Sequence, residues 1–73
     1  MSERLNEIKK LANIAADREL PAVLRTHAIE QLGNIGTHES LLALLDLAAN
    51  EEVIAEERDI ALKEAREIIM SGR

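Results

Sequence analysis

The apolar residues of this chain recur every three or four positions within four short segments, and this period constrains the fold more than any other feature of the sequence. Residues with that spacing lie on one face of an α-helix, so each segment predicts one amphipathic helix. No segment shows the alternation of apolar and polar residues that is typical of a half-buried strand. The sequence therefore predicts an all-α fold of four antiparallel helices joined by short connections.

Helix-breaking residues separate the first two segments. The first helix is predicted to end near Ala16. Pro21 suits the first position of the second helix, because the N–H that it lacks would have no intrahelical partner there. Gly36 is expected to end the second helix in the left-handed conformation, and Gly33 is interpreted as part of the same capping signal.

Two capping signals define the second half of the chain. Thr37 is expected to cap the third helix through its hydroxyl group, and Asn50 marks the end of that helix. The fourth helix is predicted to run from about Glu51 or Ala55 to Met70.

The apolar positions that share a helix face form the predicted core. The third helix is expected to be the most deeply buried, because Ser40 and Asp46 leave it almost no polar face. In the other three helices the predicted core positions are Leu5, Ile8, Leu11, Ala12, Ala15, Leu24, Ala28, Leu32, Ile35, Ile54, Ala61, Ala65 and Ile68.

The size and composition of the chain limit the chemistry that it can perform. Its 73 residues predict a single domain over residues 1–73. Apolar residues make up 47% of the chain and charged residues 32%, a balance typical of folded proteins. Cysteine and all three aromatic residue types are absent, which excludes disulfides, thiolate metal sites, thiol nucleophiles and aromatic stacking of bases.

The net charge of −5 is unevenly distributed. Residues 1–37 carry five acidic and five basic side chains, whereas residues 38–73 carry nine acidic and four basic ones. This sign is opposite to that of proteins that bind nucleic acid or anionic membranes. The longest apolar run, Leu41–Leu45, is too short for a membrane span or a signal peptide. We expect no nucleic-acid or membrane partner, a cytoplasmic location and, with Met1 at its start, a complete protein.

The chain contains a weak internal repeat of 33 residues. The offset aligns the first helical hairpin, about residues 3–36, with the second, about residues 37–70. About three to four chance identities are expected in a chain so rich in Ala, Leu and Glu. The identical pairs are Leu11/Leu44, Ala15/Ala48, Ala16/Ala49, Glu19/Glu52, Ala22/Ala55, Arg25/Arg58 and Ala28/Ala61. Apolar character is also kept in the pairs Ile8/Leu41, Ile14/Leu47, Leu20/Val53, Ile29/Leu62 and Ile35/Ile68.

The second helix carries a family-like pattern, Leu24-Arg25-x-x-Ala28-Ile29-x-x-Leu32-Gly33-x-Ile35-Gly36, and the third begins with Leu41-Leu42-Ala43-Leu44-Leu45. This pattern resembles the short HEAT-like repeats of bilin-lyase-type bacterial and archaeal proteins. The resemblance implies two stacked helical hairpins of an α-α superhelix, or armadillo-like, fold. A plain four-helix bundle, in which the offset is accidental, is the alternative.

The resemblance also assigns roles to charged residues. It places Arg25 and Arg58 at the family's arginine position, and Glu19 and Glu52 at the position of an acid that bonds along the stack. In the second copy Glu57 replaces the apolar residue that precedes the arginine, and Arg66 replaces the glycine. The second copy is therefore similar to a terminal, capping repeat.

The polar residues do not form a motif of a known reaction. His27 and His38 lack the three or four converging ligands that a metal site needs. Gly33-x-x-Gly36 ends a helix, whereas phosphate loops precede one. The carboxylates are interpreted as a solvated helix face; they are Glu51, Glu52, Glu56, Glu57 and Asp59. We therefore expect no enzyme activity, no cofactor and no metal.

Ser40 supports one alternative function. The sequence Glu39-Ser40-Leu41 at a helix start resembles the Asp-Ser-Leu motif of acyl carrier proteins, in which the serine accepts a phosphopantetheine arm. The glutamate departs from that motif. Phosphopantetheine on Ser40 is kept as the alternative function.

The preferred hypothesis is a non-enzymatic protein-interaction module that acts as a small scaffold or adaptor. The outward positions of the second helix of each repeat form the predicted partner surface, and they are Thr26, Glu30, Asn34, Asp59, Lys63 and Glu67. Two stacked repeats leave two open sides, whereas about three repeats are usually needed for independent stability. The sequence therefore predicts a homodimer, with burial in a larger assembly as the competing outcome.

Overall fold

The computed structural model describes residues 3–71. These residues form four α-helices and no strand, which confirms the all-α prediction. The helices are α1 (Glu3–Ala16), α2 (Ala22–Ile35), α3 (His38–Ala49) and α4 (Ala55–Met70).

The helices pack as two hairpins that lie side by side. Helix α1 packs against α2, and α3 packs against α4. Across the hairpins, α1 contacts α3 and α4 contacts α2, while α2 also touches α3. Within residues 3–71, α1 and α4 do not meet, although a ring of four successive antiparallel helices would bring them together. Corresponding helices of the two hairpins are thus neighbours.

The turn that follows the first helix of each hairpin is repeated at the 33-residue offset. The side chain of Asp17 accepts a hydrogen bond from the backbone N–H of Glu19 at 3.0 Å, and Asn50 does the same for Glu52 at 2.9 Å. Such turns, in which a short polar side chain binds the backbone two residues ahead, are typical of Asp and Asn. The repeat seen in the sequence is therefore also a repeat of local backbone structure.

The second helix of each hairpin also starts in the same way. The carbonyl of Pro21 accepts hydrogen bonds from the N–H groups of Leu24 and Arg25, and the carbonyl of Ile54 accepts them from Glu57 and Arg58. Neither N-cap residue provides a side-chain hydrogen bond. Pro21 is thus the N-cap of α2, one residue before the predicted position.

The two glycines near the end of α2 have different roles. Gly36 has φ of 67° and donates its N–H to the carbonyl of Leu32, as predicted for a left-handed cap. The prediction for Gly33 was wrong, because this residue lies inside the helix. A Cβ atom at Gly33 would collide with the carboxylate of Glu64 and lie 2.8 Å from its Cδ. Gly33 therefore permits a close approach of α4.

Capping fixes both ends of α3. The hydroxyl oxygen of Thr37 accepts a hydrogen bond from the N–H of Ser40 at 3.2 Å, and the hydroxyl of Ser40 donates to the carbonyl of Thr37 at 2.9 Å. Asn50 is the C-cap residue. The predicted cap and end of this helix are therefore confirmed, and of the two predicted starts of α4 Ala55 is correct.

The core lies between the two hairpins and contains residues from all four helices. Ile29, Leu32 and Leu44 are completely buried in it, and burial of such a side chain stabilises a fold by about 1.5–3 kcal/mol. The buried apolar residues are Ile8, Ala15, Ala28, Ile29, Leu32, Leu44, Leu47, Val53, Ala61, Ala65 and Ile68.

The predicted core was wrong at three positions and for one helix. Leu5, Leu24 and Ile54 are exposed, and each lies at or near the start of a helix. Helix α3 has three buried residues among its 12, whereas α2 has four among its 14, so α3 is not the most buried helix. Its Leu42 and Leu45 are exposed at the surface.

None of the helices within residues 3–71 combines the length and the apolar character that a membrane crossing requires.

Candidate interaction surface on helices α2 and α4

A buried ion pair joins the second helices of the two hairpins. The Nε atom of Arg25 donates to Oε1 of Glu57 at 3.0 Å, and its Nη2 atom donates to Oε2 at 2.8 Å. The Nη1 atom donates to the carbonyl of Leu20. The side chains of Arg25 and Glu57 are only 8% and 7% exposed. This two-pronged geometry is the strongest form of an arginine–carboxylate contact, and it fixes α4 against α2.

The position of Glu57 corrects the sequence interpretation. The sequence predicts that Glu57 lies on a solvated helix face, but its carboxylate is buried against Arg25. The hydrogen bond to Glu57 raises the pKa of Arg25 above its usual value, while burial alone would lower it. The residue that departs from the family pattern therefore forms the contact between the repeats.

Glu19 and Glu52, to which the resemblance assigned a bond along the stack, are both exposed. Among residues 3–71 neither side chain forms an ion pair. In this chain Glu57 provides the carboxylate that bonds between the repeats.

The six residues of the predicted partner surface lie on α2 and α4, which pack against each other. Five of them are exposed, and Thr26 is half-buried. Within each helix they are four residues apart, which places them along one face. The exposed residues are Glu30, Asn34, Asp59, Lys63 and Glu67.

Several of these residues lie close enough to Glu64 to change the pKa of its carboxyl group. Burial raises the pKa of Glu64, and the neighbouring carboxylates of Glu67 and Glu30 raise it further, while Lys63 lowers it. Three of the predicted residues are thus within electrostatic reach of one carboxyl group that lies over Gly33. Sequence reasoning missed Glu64. A glycine in the middle of a helix, where only a close approach requires it, was the available signal.

A small open groove lies where the C-terminal turns of α2 and α4 meet. Its volume is about 240 Å³, and Asn34 and Glu67 line it together with Gly33, Gly36, Ile68 and Ser71. The groove brings one predicted residue from each helix together. Thr26 and Asp59 lie at the opposite, N-terminal end of the predicted surface.

We call the surface formed by Glu30, Asp59, Lys63, Glu64 and Glu67 the acidic face. It holds four carboxyl groups and one ammonium group. An open surface of this sign attracts cationic side chains and accepts their hydrogen bonds. Proton-transfer chemistry would instead need carboxyl groups in a closed apolar cleft.

The remaining candidates of the sequence lie apart from this face. His27 and His38 are exposed, and residues 3–71 contain no group of three or more acidic or histidine side chains close enough to hold a metal ion. Ser40 is completely buried, and its hydroxyl donates to Thr37. A carrier serine must reach an external transferase, so this burial argues against the acyl-carrier alternative.

Arg58 occupies the place in the second hairpin that Arg25 occupies in the first. Its Nε atom is buried and has no hydrogen-bond partner. A buried polar group without a partner costs about 1–3 kcal/mol, so this arginine is an exception among buried groups. The sequence identified Arg58 as a repeat position but did not predict that it lacks a partner.

Searches with this chain against protein-family models, curated proteins and solved structures gave no match. The likeness to HEAT-like repeats therefore depends on the residues themselves.

Proposed function

We propose that this chain is a non-enzymatic interaction module, a scaffold of two HEAT-like repeats that binds a partner protein through the acidic face. The observation that carries the proposal is the packing of α2 against α4. This packing joins the second helices of both repeats into one continuous surface, and their outward carboxylates lie along it. A binding surface made from several repeats is how helical repeat proteins hold their partners.

The charge of the acidic face favours a partner with a basic surface. Carboxylates at the rim of an interface increase the rate of association with a cationic partner, and the effect weakens with salt. A cytoplasmic location remains a prediction of this proposal.

The partner surface is tested by reversing its charges. The triple variant Glu30→Lys, Lys63→Glu, Glu67→Lys is compared with wild type in quantitative pull-downs at low and moderate salt. A matched control reverses three exposed charges elsewhere, Lys9→Glu, Glu19→Lys and Glu51→Lys, with the same change in net charge. We expect the triple variant to lose proteins that the control retains. Equal capture by both variants would remove the acidic face from the proposal.

We also propose that the chain associates with itself through the open side of the first repeat. Leu24 occupies the position that corresponds to Glu57, the residue that contacts the preceding repeat in the second copy. Leu24 is 47% exposed and lies in the half of the chain that has balanced charge. An exposed apolar side chain without net charge around it suits pairing with an identical surface.

Light scattering on a size-exclusion column tests the homodimer, with detection by refractive index because the chain has no aromatic residue. We expect a mass of twice 8.1 kDa for wild type and 8.1 kDa for Leu24→Glu. Leu62→Glu is the matched control, because Leu62 is exposed to a similar extent on the other side. A wild-type monomer at all concentrations would rule out self-association.

A further inference from the structure

We propose that the groove between the C-terminal turns of α2 and α4 binds one arginine side chain of a partner protein. This inference rests on the proposed function, because the acidic face would bring the basic surface of the partner to this groove. It goes further by naming the side chain that is bound and the place that binds it. We call this place the C-terminal groove, and its lining residues are Gly33, Asn34, Gly36, Glu67, Ile68 and Ser71.

Helices α2 and α4 run in the same direction, so their C-terminal ends lie together. Arg25 in the first turn of α2 binds Glu57 in the first turn of α4. At the other end of the two helices, Asn34 and Glu67 line the same groove. The C-terminal end of an α-helix carries a partial negative charge of about half an elementary charge. Two such ends meet at the C-terminal groove.

Neither helix compensates this negative charge. A basic residue in the last turn is the usual compensation, and the last turns of α2 and α4 contain none. The carbonyl of Leu32 accepts a hydrogen bond from the N–H of Gly36. The carbonyls of Gly33, Asn34 and Ile35 accept none within residues 3–71. The end of α2 therefore offers three backbone acceptors to an incoming donor.

The side chains of the C-terminal groove are acceptors as well. The carboxylate of Glu67 forms no ion pair within residues 3–71, although Lys63 lies one turn before it. The hydroxyl of Ser71 donates to the carbonyl of Ile68 at 2.8 Å, so its oxygen can accept a further hydrogen bond. Burial raises the pKa of the nearby Glu64, and the carboxylate of Glu67 raises it further, as expected where negative charge accumulates.

An arginine side chain matches these acceptors better than a lysine side chain does. A guanidinium group has five N–H donors in one plane and no acceptor, whereas an ammonium group has three donors on one atom. The chain already holds one guanidinium group in this way, because Arg25 donates to the carboxylate of Glu57 and to the carbonyl of Leu20. The C-terminal groove offers the same combination, a carboxylate from α4 and backbone carbonyls from the end of α2.

The charge of the chain favours a basic partner over a second copy as the source of this arginine. Among residues 3–71 the exposed arginines are Arg4, Arg18 and Arg66, and each of them has an acidic neighbour in the sequence. Each would therefore bring a carboxylate to the acidic face together with its guanidinium group. Like charges at a contact oppose association, and the net charge of −5 on each copy adds to this effect.

The experiment uses the full chain and a small probe, so its outcome does not depend on finding the partner. The probe is N-acetyl-arginine amide, in which the guanidinium group carries the only charge. The matched control is N-acetyl-citrulline amide, which has a similar shape and no charge. Each compound is added at low salt to the isotope-labelled chain, and the backbone N–H signals are followed by NMR.

We expect the arginine probe to shift the N–H signals of Gly33, Gly36 and Ser71 until they saturate, and the citrulline control to leave them unchanged. Glu67→Gln should weaken binding of the arginine probe by about fivefold or more at low salt, because it removes the carboxylate of the groove. Glu30→Gln removes the same charge from the same face outside the groove, and it should weaken binding by less than about twofold.

Equal shifts with citrulline, equal effects of the two substitutions, or equally tight binding of N-acetyl-lysine amide would overturn the proposal. Shifts that grow without saturation along both helices would also overturn it, since they would indicate only a general attraction to the acidic face. Movement of the three groove signals on dilution of the chain alone would assign the groove to a second copy instead. Loss of partners by the charge-reversal variant, together with no binding of the probe, would reject the C-terminal groove and keep the acidic face.

Discussion

The two repeats contain the same arginine at the same position, but only one of them has a partner. Arg25 binds a buried carboxylate from the following repeat, whereas Nε of Arg58 has no acceptor. The backbone around the two residues is alike, since the same turn precedes both and the same carbonyl bonds start both helices. The difference therefore comes from the neighbouring helix, because α4 supplies a carboxylate to Arg25 and no helix within residues 3–71 supplies one to Arg58.

Removal of the carboxylate that completes the first repeat should have the largest effect. Glu57→Ala leaves the guanidinium of Arg25 buried without a counter-charge, and loss of one partner of a buried pair costs about 3–5 kcal/mol. The adjacent Glu56 is exposed, so Glu56→Ala is the control and should change the free energy of unfolding by less than about 0.5 kcal/mol. Urea denaturation followed by circular dichroism measures both. Equal stability of the two variants would mean that the ion pair does not hold the repeats together.

Ile29 and Leu62, which correspond at the 33-residue offset, should also differ in their contribution to stability. Ile29→Ala creates a cavity between the repeats and should cost about 2–5 kcal/mol. Leu62→Ala removes a half-exposed side chain from the outer side of α4 and should cost less than about 1 kcal/mol. The same denaturation experiment compares them. Similar losses would show that the outer side of α4 around Leu62 is already covered by another molecule.

Removal of the Arg58 guanidinium, which lacks a partner, should stabilise the fold, whereas the two substitutions above destabilise it. Arg58→Met keeps the aliphatic part of the side chain and removes a buried donor without an acceptor, so we expect stabilisation by about 1 kcal/mol. The measurement is the midpoint of urea unfolding at unchanged slope. Destabilisation by Arg58→Met would show that the guanidinium has a favourable role within the isolated chain.

The smallest expected change in the free energy of unfolding is that of Glu64→Gln, and it depends on pH. Because the folded state raises the pKa of Glu64, its ionisation disfavours folding. This cost is absent below the ordinary carboxyl pKa near 4.5 and develops as the pH rises through the raised value. Glu64→Gln should therefore be more stable than wild type at pH 7 by a few tenths of a kcal/mol. The advantage should vanish in acid. Thermal unfolding between pH 4 and pH 7 tests this, and Glu67→Gln, at an exposed position on the same face, is the comparison.

The elements of the fold were predictable because their signals are local. The helical period, the left-handed glycine at position 36 and the Thr37 cap each depend on residues within one or two turns. The repeat offset stays a prediction, and the turns at Asp17 and Asn50, which lie 33 residues apart, have the same hydrogen bond. The resemblance to HEAT-like repeats and the homodimer stay predictions.

The contacts between the hairpins were not predictable in the same way. Glu57 follows Glu56 in an acidic segment, and nothing in that segment distinguishes the buried carboxylate from the exposed one. The approach of Glu64 to Gly33 likewise depends on the position of a helix about thirty residues away, which the periodicity of a single helix does not contain. The acidic face was therefore predicted as a set of outward residues, but its coupling through Glu64 was not.

The absence of contact between α1 and α4 within residues 3–71 has a consequence for how the chain folds. Among these residues each helix packs only against the next helix in the chain or the one after it. The first and last helices therefore need not meet for the core to form. Proteins with such low contact order fold in microseconds to milliseconds, because little loop entropy is lost at each step. We expect relaxation kinetics in this range, with a hairpin as the first element to form and its docking to the other hairpin as the limiting step.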